Sequence, residues 1–523
     1  MRNHGALFLA LGLGVLSACA ATDPGLRARD AEKVGRIVIV DPGADPATPD
    51  PAAPGTDPGP PAEPDPNSGP LDPDPVATAP ELPAIEPGQF PLDPDKPPQA
   101  YDAYLIVALE DIQQFWRDTM PAVYGRDYEE LAGGIWPVYP GRTGVPGCGS
   151  PRTTYRDIEG NAFYCQDSDF VAYDDANLLP QLDRELGRAV IGVVLAHEWG
   201  HAIQARLGLF DGTVATVTAE LQADCFAGAW TSHLARGENA QMQFLDSDIR
   251  SGLTGMISVA DSPGITQETD FSAHGSAFAR VGAFQDGFVN GAVQCATYID
   301  NPPDPMQFRY TSNGPNAEDA PYDDQPVAAG SDYGDGIFQL IDHSLAAYWP
   351  SVMEANGTAI TAPTLLGYPN AGPYPACDGV DQATFADNVF YCESTNQVMY
   401  DDDLARQLYR RVGDFSIGYL LGNGWSDAIQ TALGSQLEGE RRALLNDCLT
   451  GAWTRSTLPE PASTDTKRVI ASPGDLDEAV KTAILVGDET TDANQVGSAF
   501  EKIDAFRVGV LGDLNACQTK YAN

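Results

Sequence analysis

Residues 187–207 read Gly-Arg-Ala-Val-Ile-Gly-Val-Val-Leu-Ala-His-Glu-Trp-Gly-His-Ala-Ile-Gln-Ala-Arg-Leu, and Gly208 follows. Apolar residues recur at helical spacing through the run, which predicts a buried helix with Gly208 as its C-cap. His197 and His201 then lie four residues apart on one face. Two imidazoles so spaced can grip one zinc ion, and Glu198, one position round, is placed to act as a base. The chain has only six histidines, so the pattern His-Glu-x-x-His is rare by chance. The competing reading is a pair of histidines satisfied by hydrogen bonds inside the core.

About twenty residues downstream stands Glu220-Leu221-Gln222-Ala223-Asp224, on a predicted helix that Thr218 could cap. Glu220 and Asp224 share a face at i, i+4. A hydrolytic zinc takes three protein ligands and keeps one position open, so Glu220 completes a His-His-Glu set. Asp224 is then placed to accept from a ligand imidazole and orient it. The neighbours Cys225, Phe226, Ala227, Ala229 and Trp230 make a solvated acidic face a poor alternative.

These two stretches, together with Phe163-Tyr164-Cys165 upstream and His274-Gly275 with Arg280 downstream, resemble the bacterial neutral zinc metallopeptidases. The resemblance runs over roughly residues 101–295. It implies a mainly α, α+β fold of the zincin type and one Zn2+ held by His197, His201 and Glu220. Hydrolysis of a peptide or protein substrate is implied, with Glu198 as general base. Trp199 is bulkier than the aliphatic residue usual in that family and would narrow the cleft. His274 is a candidate donor to the oxyanion, or equally a structural histidine at a helix start. His233 and His343 have no such pairing and read as packing or surface residues.

A long-period repeat links the two halves of the chain. Phe163-Tyr164-Cys165 recurs as Phe390-Tyr391-Cys392, Asp224-Cys225 as Asp447-Cys448, and Gly275-Ser276-Ala277-Phe278 as Gly497-Ser498-Ala499-Phe500. Cys148, Cys165, Cys225 and Cys295 are echoed by Cys377, Cys392, Cys448 and Cys517. Their order suggests the bridges Cys148–Cys165, Cys225–Cys295, Cys377–Cys392 and Cys448–Cys517, one of three connectivities open to each set of four. Aligning Leu195 with Leu421 puts Asn423-Gly424-Trp425-Ser426-Asp427 opposite His197-Glu198-Trp199-Gly200-His201. Ala443 stands opposite Glu220, and Val496 opposite His274. The second half therefore reads as a degenerate copy that lost its metal ligands.

The start of the chain has its own grammar. Arg2, a short apolar run and Leu16-Ser17-Ala18-Cys19 look like a bacterial lipoprotein signal with Cys19 as the acylated residue. Two or more acyl chains would anchor the protein stably, on the outer side of a membrane. Residues 41–98 hold 20 of the 42 prolines, with Lys96 the only basic residue, and read as a solvated stalk. The expected organisation is signal 1–18, stalk 19–98, metallopeptidase domain 99–300, linker 301–326 and metal-free domain 327–523. The formal net charge of −44 argues against a nucleic-acid partner, because phosphate neutralisation needs a basic surface. Membrane contact is expected through the anchor alone. The expectation is thus an envelope-anchored zinc peptidase in the periplasm or at the cell exterior. The alternative is a non-catalytic surface lipoprotein that binds a partner and carries a structural or idle zinc.

Overall fold

The computed structural model describes Leu9, Ala10, Leu82, Glu86 and residues 88–210, 214–262, 273–303, 319–322, 336–458, 471–472, 474–486, 498–512 and 514–522. The signal apart from Leu9–Ala10, the acylation candidate Cys19, most of the stalk and most of the linker lie outside the described residues. No described helix is long and apolar enough to cross a membrane.

The first half opens before its first helix. Phe90, Asp93 and Lys96, read from composition as stalk, are buried. Lys96 Nζ sits 2.7 Å from Asp102 and 2.9 Å from Asp175, with all three side chains excluded from water. The ordered body therefore begins at or before residue 88, ten residues earlier than the proline content suggested. A single buried cation between two carboxylates fixes this segment in place.

Helix α1 (Asp102–Tyr124) leads into a small sheet made of β2 (Gly134–Val138), β3 (Asn161–Cys165) and β4 (Phe170–Asp174). Strand β2 runs parallel to β4 and β3 antiparallel to it, and the two-residue β1 (Leu9–Ala10) pairs on the other edge of β3. Helices α2 (Leu178–Leu186), α3 (Ala189–Leu207), α4 (Thr216–Ala235), α5 (Asp246–Ser258) and α6 (Ala277–Ala296) follow. Helix α3 is buried on all sides from Ala189 to Gln204, as expected of an apolar run without a polar face. Gly208 closes it at φ +78°. Helix α4 starts at Thr216, so Thr218 lies inside its first turn and caps nothing.

The second half contains α7 (Ile337–Ala355), β5 (Thr364–Tyr368), β6 (Val389–Cys392), β7 (Gln397–Asp401), α8 (Asp402–Arg411), α9 (Phe415–Ala432), α10 (Gly439–Thr457), α11 (Asp475–Leu485), α12 (Ser498–Leu511) and α13 (Leu514–Tyr521). Its sheet has the same senses: β5 is parallel to β7, and β6 is antiparallel to β7. Ala162 pairs with Tyr173 in the first sheet, and Val389 with Tyr400 in the second.

Close helix approach is set by glycine in both halves. A Cβ on Gly228 would lie 1.9 Å from Phe284 O, and one on Gly287 would lie 1.7 Å from Cys225 O, so α4 and α6 touch backbone to backbone. Gly451 and Gly509 do the same for α10 and α12, at 2.0 and 1.9 Å from Phe506 O and Cys448 O. Cys225–Cys295 staples α4 to α6 directly, whereas Cys448–Cys517 ties α10 to α13, the helix that follows α12. Cys148–Cys165 and Cys377–Cys392 bridge the loop before the hairpin strand in each sheet.

The halves pack together through α5 and α6 against α11 and α12. Phe278 N donates to Asp477 Oδ1 at 2.8 Å, Gln285 Nε2 to Phe500 O at 2.8 Å, and Arg250 to Ile484 O at 2.6 Å. Buried apolar residues of both halves form one continuous core.

Candidate metal centre

His197 and His201 project from the same face of α3, and both are buried. Each ring is fixed through Nδ1. His197 Nδ1 meets Asp224 Oδ1 at 2.7 Å, and His201 Nδ1 meets Gln204 Oε1 at 2.9 Å. Both partners are acceptors, so the hydrogen-bond network assigns a proton to each Nδ1. The Nε2 atoms are then turned toward one another, 3.1 Å apart. Two bare lone pairs cannot face each other at that distance without a cation or proton between them. Burial opposes charge on His197, but Asp224 and then Glu220 outweigh it and push the imidazole up to about 10. His201 is driven down to about 4 by burial, with the charge of His197 adding to the effect.

Glu220 enters from α4, with Oε2 3.4 Å from His197 Nε2 and Oε1 3.5 Å from His201 Nε2. Its Oε2 is buried and makes no hydrogen bond. Burial disfavours its charge, yet the two histidines hold its proton affinity well below the usual carboxylate range. One ligand atom from each of His197, His201 and Glu220 falls within 4.8 Å of the others. An orphaned carboxylate oxygen and two opposed imidazole nitrogens fit the donor set that zinc takes. Helices α3 and α4 meet because residue 200, between the ligands, has no side chain: a Cβ there would lie 2.8 Å from Ala223 Cα.

Behind the ligands lies a buried relay. Asp224 receives Arg280 Nε at 2.7 Å on Oδ2 and Nη2 at 2.8 Å on Oδ1, the oxygen that also meets His197. Arg280 Nη1 donates to Val259 O at 2.7 Å, and its side chain is wholly buried. Burial opposes the charge of Asp224, but Arg280 and His197 keep the carboxyl ionised. Gln204 supports the second imidazole in turn, its Nε2 donating to Ala219 O at 2.6 Å. The sequence placed Arg280 in the resembling stretch without a role, and gave Gln204 none. The readable signal for Gln204 was its position three residues beyond His201, on the same helix face.

Glu198 lies under the edge of the sheet, where its Oε2 accepts the Tyr164 N–H at 2.9 Å. Burial, reinforced by Glu220 and countered by His197, pushes its carboxyl up to about 8. Trp199 points away from the ligands and donates to Tyr128 Oη at 2.9 Å in the core, so it does not narrow the cleft.

His274 precedes α6, whose N-cap Ser276 accepts from Ala279 N. Asp261 holds it: Oδ2 takes the backbone N–H of His274 at 2.6 Å and of Gly275 at 2.7 Å, and Oδ1 lies 3.2 Å from Nδ1. This bond raises the affinity of His274 for a proton, and Glu220 feels its charge. His233 pairs instead with Asp111 and Glu238 away from the cluster, and His343 lies on α7 of the second half.

At the aligned positions of the second half, Asn423 Nδ2 donates to Tyr419 O at 3.0 Å and Asp427 pairs with Arg442 at 2.6 Å. Ala443, on α10, carries no ligand atom, and Val496 lies outside the described residues. Asp447 remains buried and meets Tyr419 Oη at 2.7 Å and Lys502 Nζ at 3.5 Å.

Residues 104–298 match the family described as "Putative neutral zinc metallopeptidase". Uncharacterised proteins of Mycobacterium tuberculosis and Mycobacterium bovis are each 28% identical over 211 residues, covering 36% of this chain and 67% of their own length. The uncharacterised protein YpfJ of Escherichia coli is 30% identical over 177 residues, 29% of this chain and 57% of its own. No solved structure matches. The family match takes in both ligand-bearing helices and stops before the second half. Segment 104–298, with its buried His-His-Glu cluster, thus matches the neutral zinc metallopeptidase family.

Proposed function

We propose that the first half is a zinc-dependent peptidase, carried outside the cytoplasm on a lipid attached to Cys19, and that the second half is its degenerate, metal-free copy. The observation that carries the peptidase reading is Glu198, a buried carboxyl next in sequence to the ligand His197, whose Oε2 accepts the Tyr164 N–H at 2.9 Å. A purely structural zinc site has no use for such a base. When bound, one zinc held by His197, His201 and Glu220 would supply a Lewis acid that polarises the scissile carbonyl and acidifies a water. Glu198 takes the water proton and returns it to the leaving amine, a task suited to a carboxyl titrating near neutrality. Asp224 and Arg280 lock the tautomer of His197, and His274, whose affinity for a proton Asp261 raises, donates to the developing oxyanion.

The second-copy reading is supported by the shared strand senses and register, the paired disulfides and the glycine contacts. A substrate is a peptide or protein, with no role for nucleic acid. One specific observation favours the rival reading, a binding lipoprotein with an idle zinc: His197, Glu198, His201 and Glu220 are each at most 2% exposed. Zinc analysis and a peptide-library digest of the mature chain, wild type against Glu198→Gln, separate the two. Both forms should hold one zinc and only the wild type should cleave. Equal cleavage removes the mechanism, and a zinc-loaded wild type without cleavage favours the binding reading.

A further inference from the structure

We propose a second metal site, for calcium, where Asp319, Asp414 and Glu478 converge in the second half. One carboxylate oxygen from each lies within 4.8 Å of the others. An all-carboxylate oxygen set suits calcium, which accepts irregular coordination, whereas magnesium demands a near-ideal octahedron and keeps more of its waters.

Two of the three carboxylates, Asp414 and Glu478, are buried and already held by backbone N–H groups, and Asp319 is exposed at the mouth of the cluster. Asp414 Oδ2 accepts Ala320 N at 2.6 Å, and Glu478 Oε2 accepts Phe415 N at 2.8 Å. The other oxygen of Asp414, Oδ1, is buried and receives no N–H or O–H from outside the cluster, its side-chain partner being the carboxyl of Glu478. Asp414 as a whole is 4% exposed. A lone buried carboxylate oxygen is costly unless a proton or cation meets it. Residue 413 is glycine at φ +139°, and a Cβ there would lie 2.0 Å from Glu478 Oε1, so the backbone is opened to admit this carboxylate.

Comparison of the halves gives the charge argument. The residue before α3 is Arg188, a cation 3.9 Å from Asp183 that also favours the ionised form of Asp248 on α5. The residue before α9 is Asp414, and the α11 residue it faces is Glu478. The second half has thus replaced a fixed cation by a carboxylate while keeping an acid opposite it. The charged groups acting most strongly on Asp414 and Glu478 are one another, Asp319 and Asp475, all acidic. Asp475 is itself occupied by Ser472 N at 2.8 Å and by Ser472 Oγ, and it lines a small cavity of about 20 Å³ together with Asp414 and Ala320. A divalent cation restores the lost positive charge. It would also tie residues 319–322, in the segment joining the halves, to α9 and α11. Oxygen-only sites of this size in exported proteins bind calcium with Kd on the order of 10⁻⁴–10⁻³ M.

The test is thermal unfolding and calorimetric titration of the zinc-loaded mature chain with calcium chloride alone, compared with magnesium chloride. One calcium should bind at sub-millimolar to millimolar concentration and raise the Tm by several degrees, with magnesium weaker. Asp414→Asn, which removes a repelling charge and should keep the fold, is expected to abolish the shift, and Glu478→Gln to weaken binding at least tenfold. Glu220→Ala, which disables the zinc cluster, should leave the calcium shift intact. An unchanged Tm in calcium, the same shift in Asp414→Asn, or loss of the shift in Glu220→Ala would each overturn the proposal. So would a Tm that responds to acid but not to calcium, since a shared proton would then fill the cluster.

Discussion

Asp224 and Arg280, 56 residues apart in sequence, form a two-pronged ion pair at 2.7 and 2.8 Å in the buried space behind His197. The pair joins α4 to α6, and Asp224 Oδ1 serves the arginine and the imidazole at once. Arg280→Gln leaves the carboxylate buried and uncompensated, a loss of about 3–5 kcal/mol of stability. It should also lower zinc affinity roughly 10- to 100-fold, as removal of a ligand's supporting partner commonly does. Asp224→Ala should weaken zinc similarly. Chelator competition on the purified variants measures this. Wild-type zinc affinity in a folded Arg280→Gln protein would show that the relay does not orient His197.

A pH dependence follows from two half-buried carboxyls, each with one oxygen shut off from water. Asp342 Oδ1 and Glu501 Oε2 make no hydrogen bond. Burial raises Asp342 to about 6, and burial with Glu440 nearby raises Glu501 to about 8. Between the ordinary carboxylate value and these, the folded chain keeps protons that the unfolded chain releases. Their contribution to stability is therefore complete below the ordinary carboxylate range and is lost as pH rises through about 6 and about 8. The double variant Asp342→Asn, Glu501→Gln should flatten the decline in Tm between pH 5 and 8 by several degrees. A wild-type Tm that rises over that window while the variant stays level contradicts the assignment.

How much of this was legible beforehand varies by residue. His197, Glu198, His201, Glu220 and Asp224 were legible because helical periodicity fixes which positions share a face, and the ligands sit at i, i+4 on two helices. Asp261 was not, since a loop carboxylate that meets His274 across 13 residues leaves no periodic trace. Lys96 was misread with its proline-rich surroundings. Composition averages over a window, whereas one buried ion pair is decided by a single side chain. The cluster of Asp319, Asp414 and Glu478 was invisible for the same reason, being assembled from three separate segments.

The α4–α6 contact makes a sharp distinction between two glycines on one helix. Gly287→Ala would drive a methyl into the Cys225 carbonyl, at 1.7 Å, where only backbone can give way. It should cost about 3 kcal/mol or more and disturb Arg280 two turns earlier. Gly291 has open space around its missing Cβ, but its φ +72°, ψ −178° lies in a region that only glycine occupies readily, so Gly291→Ala should cost about 1–3 kcal/mol through backbone strain alone. Denaturant midpoints rank the pair. Equal losses would mean that α6 can slide away from α4.

The second half should brace the zinc site, although it holds no ligand of that site. Helix α6 carries Arg280, and its first turn and middle are fixed from across the junction. Asp477 takes Phe278 N, Arg507 donates to Phe278 O, and Gln285 reaches Phe500 O. Phe288 and Phe500 pack ring against ring at 4.9 Å, both nearly excluded from water. Without the second half these groups face solvent and α6 loses three anchors, two at Phe278 in its first turn and one at Gln285. A first half expressed alone, residues 88–303, should therefore bind zinc at least tenfold more weakly than the full chain. Adding residues 319–523 as a separate chain should restore affinity, whereas a Phe500→Ala version, missing a buried ring worth about 3–5 kcal/mol, should restore less. A first half with full zinc affinity by itself would reduce the second half to a passenger. Unfolding of the whole chain followed by fluorescence and by zinc release should then show two separate transitions instead of the single one that a shared core implies.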